Sequence, residues 1–150
     1  NLDFSIHKPS LDLFFVIKEH PSDSKKFKHL HKVNERILFR NFDSKDLIEK
    51  SLSTLTLNST VGLESLILGK KLILLGESCF KIEGITRFPE SRDQLVECIN
   101  SIDSWELDLG QIEKYLDYLN EIYCIQQSWR NPSEQHFESL EQRFREIIYS

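Results

Sequence analysis

The sequence predicts an α/β fold, a Rossmann-like parallel sheet with covering helices, and three observations predict it. Residues 13–17 and 71–75 are short apolar runs with little polar alternation, the pattern of strands buried on both faces. Capping residues, Asp43-Ser44 and Ser59-Thr60, stand just after two strand candidates. Strands and helices then alternate in β-α-β-α-β-α-β order as far as Gly76, the order made by right-handed crossovers between parallel strands.

Each element has its own reason. Residues 1–10 read as a linker or loop, or, since Leu2, Phe4 and Ile6 alternate with polar residues, as a short edge strand that Pro9 interrupts. The run at 13–17 is the first buried strand, ended by Lys18-Glu19-His20-Pro21. Ser22 or Ser24 opens a short helix over 25–32, made basic by Lys25, Lys26, Lys28 and Lys32. Residues 36–39 are the next strand, and Asp43-Ser44 caps a two-turn helix over 45–51. A third strand at 54–57 leads through Asn58 to a helix over 61–68, which Gly69 stops. The fourth strand, 71–75, ends at Gly76.

Beyond Gly76 the pattern changes. Residues 77–90 read as a loop, and helical spacing returns over 91–102, where Leu95, Val96, Ile99 and Ile102 share a face. Two more helices follow, over 111–129 and from Ser133 or Glu134 to Tyr149, separated by Asn131-Pro132. The Trp and Tyr side chains of these last helices read as core and interhelix packing. Residues 1–90 thus form one Rossmann-like region, and residues 91–150 supply helices that pack on the same domain.

Composition narrows the function. The chain has 150 residues, 39% hydrophobic and 29% charged, with a net charge of −5. That suits a single domain with a core and argues against a general nucleic-acid binder, which needs a basic face. No apolar run approaches the roughly 20 residues of a membrane span. Cys79, Cys98 and Cys124 have no CxxC spacing, so a disulfide framework or a zinc site is not expected and a cytoplasmic, reducing compartment is. Cys79 reads as a buried thiol. The chain contains no Met and begins at Asn1, so a fragment or a processed chain is expected.

Two strand ends carry the candidate chemistry. In open parallel sheets ligands bind outside the carboxyl ends of the strands. Asn58, Ser59 and Thr60 open a helix there, where unpaired amides and partial positive charge suit an anion. The alternative is a helix cap and nothing more. Gly62 would allow close approach of backbone or ligand. His20 can donate to a phosphate oxygen or hand a proton to a leaving group, and Pro21 holds it extended. Lys18 would point the same way. The alternative is a solvated histidine on a surface turn. Glu64 reads either as a ribose acceptor or as a complement to the helix dipole.

The order K-x-H-P, N-S-T-x-G-x-E-x-L-x-x-G-K and G-x-x-x-F-x-x-x-G-I-T resembles the bacterial capsule polysaccharide biosynthesis proteins, which include Kdo-transferring glycosyltransferases of capsule and O-antigen assembly. The residues are Lys18, His20 and Pro21; Asn58, Ser59, Thr60, Gly62, Glu64, Leu66, Gly69 and Lys70; then Gly76, Phe80, Gly84, Ile85 and Thr86. Lys81 and Ile85 depart from the pattern, which often has Tyr and Leu there. The resemblance implies the C-terminal, donor-binding half of a two-domain GT-B glycosyltransferase, whose N-terminal domain lies outside this sequence. By the same likeness, which extends to bacterial sialyltransferases, His20, Ser59 and Thr60 hold the phosphate of a CMP-sugar and Pro21 borders the cytosine. Asn58 shapes the turn, and Lys18 and Glu64 complete the nucleotide-binding set. His20 is then the catalytic stabiliser of the leaving phosphate. The implied donor is CMP-β-Kdo, transferred with retention to a saccharide or glycolipid acceptor, with no cofactor, no metal and no nucleic acid involved. Peripheral attachment of the full-length protein to the inner membrane would suit a glycolipid acceptor. The alternatives are a GT-B enzyme using a nucleoside-diphosphate sugar, as transferase or 2-epimerase, and a non-enzymatic α/β interaction module.

Overall fold

The computed structural model describes residues 13–19, 34–125 and 128–149. The expected edge strand near Leu2–Ile6 and the basic helix over 25–32 lie outside them. The chain divides into two compact units, one ending at Asp108 and one beginning at Leu109.

The first unit is an α/β fold with parallel strands. β1 (Phe15–Ile17) pairs in parallel with β2 (Ile37–Phe39), Val16 opposite Leu38. β3 (Ser53–Thr56) pairs in parallel with β4 (Lys71–Leu74), Leu55 opposite Ile73. Among the described residues the strands form these two pairs rather than one continuous sheet. β4 gains a further parallel neighbour through Arg87, whose N–H donates to the Leu72 carbonyl at 3.0 Å and whose carbonyl accepts from Leu74 at 2.8 Å.

Helices cover both faces of β4, while Leu55 of β3 stays 42% exposed. α1 (Ser44–Lys50) begins where the Asp43 carboxylate accepts the Lys45 N–H at 2.9 Å. α2 (Val61–Ile67) ends on Gly69 in a left-handed conformation, φ 62°. The Gly69 N–H donates to Leu66 and the Lys70 N–H to Ser65, at 2.9 and 2.8 Å, the paired bonds of a Schellman stop. Lys70 then reaches back, its ammonium donating to the Glu49 carbonyl at 2.6 Å, where the C-terminal end of α1 favours a cation.

α3 (Arg92–Asn100) starts at Ser91, whose hydroxyl accepts the Gln94 N–H, while the Gln94 side chain accepts the Glu90 N–H: a capping box displaced by one residue. Strand alternation sorts β4 between the layers. Leu72 lies toward Gly62 of α2. Ile73 packs with Ile102 and Trp105, against Leu95, Cys98 and Ile99 of α3 and Leu107. Lys71, on the same face as Ile73, donates to the Ile102 carbonyl at 2.6 Å. Leu72, Ile73 and Leu74 are all at most 1% exposed. β4 is therefore the two-sided strand that its unbroken apolar run predicts.

β1 is not. Phe15, Val16 and Ile17 are 40, 46 and 38% exposed. A two-stranded pair has two open faces, so an apolar run there stays accessible unless other elements cover it.

In the second unit, α4 (Leu109–Tyr118) passes into a π-helical turn, Leu119–Tyr123, and stops, with Cys124 extended. The helix predicted to continue to 129 ends here because Ile122-Tyr123-Cys124-Ile125 is a run of β-branched, aromatic and thiol side chains of low helix propensity. α5 (Glu134–Tyr149) follows, its first turn held by the Ser133 hydroxyl, which accepts the His136 N–H at 3.3 Å. Arg143 donates to the Ile122 carbonyl, tying α5 to the π turn. Tyr115 is buried, but Tyr118, Tyr123, Trp129 and Tyr149 are exposed, so most of these aromatics are surface rather than core. No helix among the described residues is long and apolar enough to cross a membrane.

Candidate functional site

The Asn58-Ser59-Thr60 turn leaves the carboxyl end of β3. It closes on itself: the Thr56 hydroxyl accepts the Ser59 N–H at 3.3 Å, and the Ser59 carbonyl accepts the Gly62 N–H at 2.9 Å. Ser59 is the capping side chain, its hydroxyl accepting the Val61 N–H at 3.3 Å. Thr60 already has helical angles, φ −56° and ψ −18°, and its hydroxyl caps nothing. Of the two adjacent hydroxyls, that of Ser59 therefore meets the helix start and that of Thr60 does not. The Asn58 amide, the Thr60 hydroxyl and the Glu64 carboxylate are exposed and make no hydrogen bond to a described residue. Those three groups are free to meet a ligand.

The turn is held from below by two glycine contacts. A Cβ on Gly76, just past β4, would stand 3.0 Å from the Leu57 carbonyl oxygen. A Cβ on Gly62 would stand 2.6 Å from Phe80 Cε2, inside any real contact distance. The space that Gly62 opens is therefore filled by the Phe80 ring, which is 4% exposed, and not by a ligand. Ser65, fully buried one turn later, sits 2.8 Å from both the Thr54 hydroxyl and the Val61 carbonyl, fixing α2 to β3.

The loop after β4 is closed by its own threonine. Thr86 Oγ1 accepts the Ile82 N–H at 3.2 Å and lies 3.1 and 3.2 Å from the Phe80 and Ile82 carbonyl oxygens. Gly84, with φ 84°, makes the bend. Ser78, which sequence reasoning did not single out, carries a buried hydroxyl with no partner among the described residues. Cys79 is exposed, not buried, because Phe80 takes the inward position beside it. Lys81 donates to Glu77 at 2.7 Å and lies 5.1 Å from the Phe88 ring centroid. The Glu77 hydrogen bond holds the Lys81 ammonium above its ordinary pKa; partial desolvation opposes this, and the charges of Glu77 and Glu90 support it.

Lys18 stands at the end of β1 and donates to the Ser44 hydroxyl at the start of α1, at 2.6 Å. An ammonium carries three donors, so two remain. Lys18 makes no hydrogen bond to residues 58–64. His20 and Pro21 lie outside the described residues. The structure therefore brings Asn58, Ser59, Thr60 and Glu64 together on one turn and places Lys18 on the β1–β2 pair. No group of three His, Cys, Asp or Glu among the described residues is placed to hold a metal ion.

A shallow groove lies elsewhere, between residues 83–89 and α3. Its wall is Arg87, whose guanidinium stacks 4.4 Å from the Trp105 ring centroid and donates to the Ser101 hydroxyl at 2.6 Å. This arrangement braces the end of α3; Gly84 and Thr86 of the third motif line the groove, and none of the expected nucleotide-binding residues does.

Comparison with known proteins bears on the same residues. The profile of the family described as capsule polysaccharide biosynthesis protein matches residues 2–97, more than half of the chain. The chain belongs to that family. The match to the capsule polysaccharide biosynthesis family takes in β1 to β4, the Asn58–Glu64 turn, the Thr86 closure and most of α3. One relative is Protein FixF of Sinorhizobium fredii (strain NBRC 101917 / NGR234), 31% identical over 119 residues. The alignment covers 79% of this chain and 29% of FixF, so the chain spans less than a third of that relative's length. No solved structure matches the chain.

Proposed function

We propose that this chain is the donor-binding half of a GT-B glycosyltransferase that uses CMP-β-Kdo, with retention, to build a capsule or lipopolysaccharide glycan. Membership of the capsule polysaccharide biosynthesis family supports a role in glycan synthesis. The observation that carries the finer reading is the β3–α2 turn, where Asn58, Thr60 and Glu64 present unpaired polar groups at the carboxyl end of a parallel strand.

The chemistry follows from the leaving group. Transfer breaks the bond between the sugar's anomeric carbon and a phosphate oxygen, and the electron pair leaves with CMP. Donors placed at that oxygen stabilise the developing charge more than the ground state. In this reading His20 donates to the leaving phosphate, Ser59 and Thr60 hold its other oxygens, and Pro21 borders the cytosine. Lys18 adds positive charge through its remaining donors, and Glu64 accepts from a ribose hydroxyl. The charge is met by fixed dipoles, an imidazole and an ammonium, without a divalent cation. The acceptor saccharide or glycolipid is held by the other GT-B domain, so this chain alone binds donor and does not turn over.

Titration of the full-length protein with CMP, CDP, UDP and GDP tests the reading. CMP should bind in preference to UDP and GDP, and EDTA should not change its affinity. His20→Ala should weaken CMP by about 1.5–3 kcal/mol, on the order of 10–100-fold, the worth of a hydrogen bond to a charged group. Preference for a nucleoside diphosphate would point instead to a different sugar-nucleotide enzyme.

A further inference from the structure

The free groups of the Asn58–Thr60 turn are gripped at both ends by one short loop. At the start of the turn, the backbone of Gly76 presses against the Leu57 carbonyl, where an added Cβ would lie 3.0 Å from the oxygen. At its end, the Phe80 ring fills the notch left by the missing side chain of Gly62. The loop is itself anchored, since the Thr86 hydroxyl meets the Phe80 carbonyl at 3.1 Å and both residues are buried. Close-packed interiors pass small displacements on to their neighbours rather than absorbing them.

We propose that Phe80 is a positioning residue for the ligand-binding turn. Its ring sets how near the first turn of α2 sits to β4, and through that the placing of Asn58, Ser59 and Thr60, while touching no ligand itself. Residues 76–80 then work as a clamp with two jaws, the Gly76 backbone and the Phe80 ring. The ligand-affinity part of this proposal rests on the nucleotide reading above; the mechanical part does not.

The geometry also specifies a rescue. An alanine at 62 would collide with Phe80 Cε2 at 2.6 Å and Cζ at 3.1 Å. Leucine at 80 lacks both atoms. The remaining neighbour, Leu72 Cδ2 at 3.2 Å, is the end of a flexible side chain that can shift. An alanine at 76 meets backbone, which a smaller residue 80 does not relieve.

The test compares wild type, Gly62→Ala, Phe80→Leu, the Gly62→Ala/Phe80→Leu double variant and Gly76→Ala in the full-length protein. Two readouts are used: amide exchange at residues 59–64 without ligand, and CMP affinity. Gly62→Ala should speed exchange across 59–64 and weaken CMP by about tenfold, as overpacking does. The double variant should return both readouts to within about threefold of wild type. Gly76→Ala should perturb the same amides, and adding Phe80→Leu should not restore them. The proposal is overturned if Gly62→Ala leaves exchange unchanged, or if the folded double variant is no better than the single one. Should Gly62→Ala fail to fold, recovery of folding in the double variant supports the proposal and its absence overturns it. If wild type binds no CMP, the nucleotide reading and the affinity part fall together, and the exchange data alone decide whether the clamp exists.

Discussion

At the residue scale, single polar atoms decide how the turns are held. Thr86 is 5% exposed and its hydroxyl satisfies an amide and faces two carbonyls of its own loop. Thr86→Val keeps the shape and removes those bonds, leaving buried polar groups unpaired. The expected loss is about 1–3 kcal/mol, read from urea unfolding, and Thr86→Ser should recover most of it. The sequence made some of this chemistry legible. Asp43 and, of the Ser59-Thr60 pair, Ser59 do cap helices, because capping depends only on residues within one turn. The role of Gly62 was not legible: the atom that requires a glycine there belongs to Phe80, and a pairwise contact across a fold leaves no periodic trace. The free state of Asn58, Thr60 and Glu64 was equally hidden, since residue type does not say which of two adjacent hydroxyls does the capping.

At the element scale, stop signals carry the fold. Gly69 ends α2 at φ 62°, and its N–H and that of Lys70 satisfy the last carbonyls. Gly69→Ala forces a side chain into the left-handed region and should cost about 1–2 kcal/mol, measured as a lower midpoint in thermal or urea unfolding. α1, α2, α3 and α5 lie within a few residues of their predicted ranges. α4 does not, because spacing alone extended it. Apolar periodicity persists through Ile122-Tyr123, while local propensity turns the backbone first into a π turn and then extended. The contact of Arg87 beside β4 is a single bridge, too short to register as a strand in sequence.

For the whole molecule, what matters is how each strand is covered. β4 has α2 on one face and the Ile102–Trp105 cluster on the other, whereas β1 has accessible side chains throughout. Native-state amide exchange should therefore be slowest at Leu72–Leu74 and faster by at least an order of magnitude at Phe15–Ile17. Equal protection would contradict this layering. From sequence, the two strands looked alike, since composition reports that a run is apolar and not whether a second layer exists to cover it. The same division bears on the site. Asn58 to Glu64 follow β3, which pairs along its length with the well-covered β4, a firmer seat than the β1–β2 pair offers.

The reach of Lys70 back to the end of α1 has one more effect. Leu52 is an exposed link between helix and strand, ordinarily a place where the chain accepts extra residues. Here the link, β3, the candidate turn and α2 form a closed circuit, fastened where the Lys70 ammonium meets the Glu49 carbonyl. Adding one residue at Leu52 would either unfasten that buckle or slide β3 along β4, and a slide by one residue turns every side chain of the strand to the opposite face. The length of this surface link is thus under the same constraint as the core.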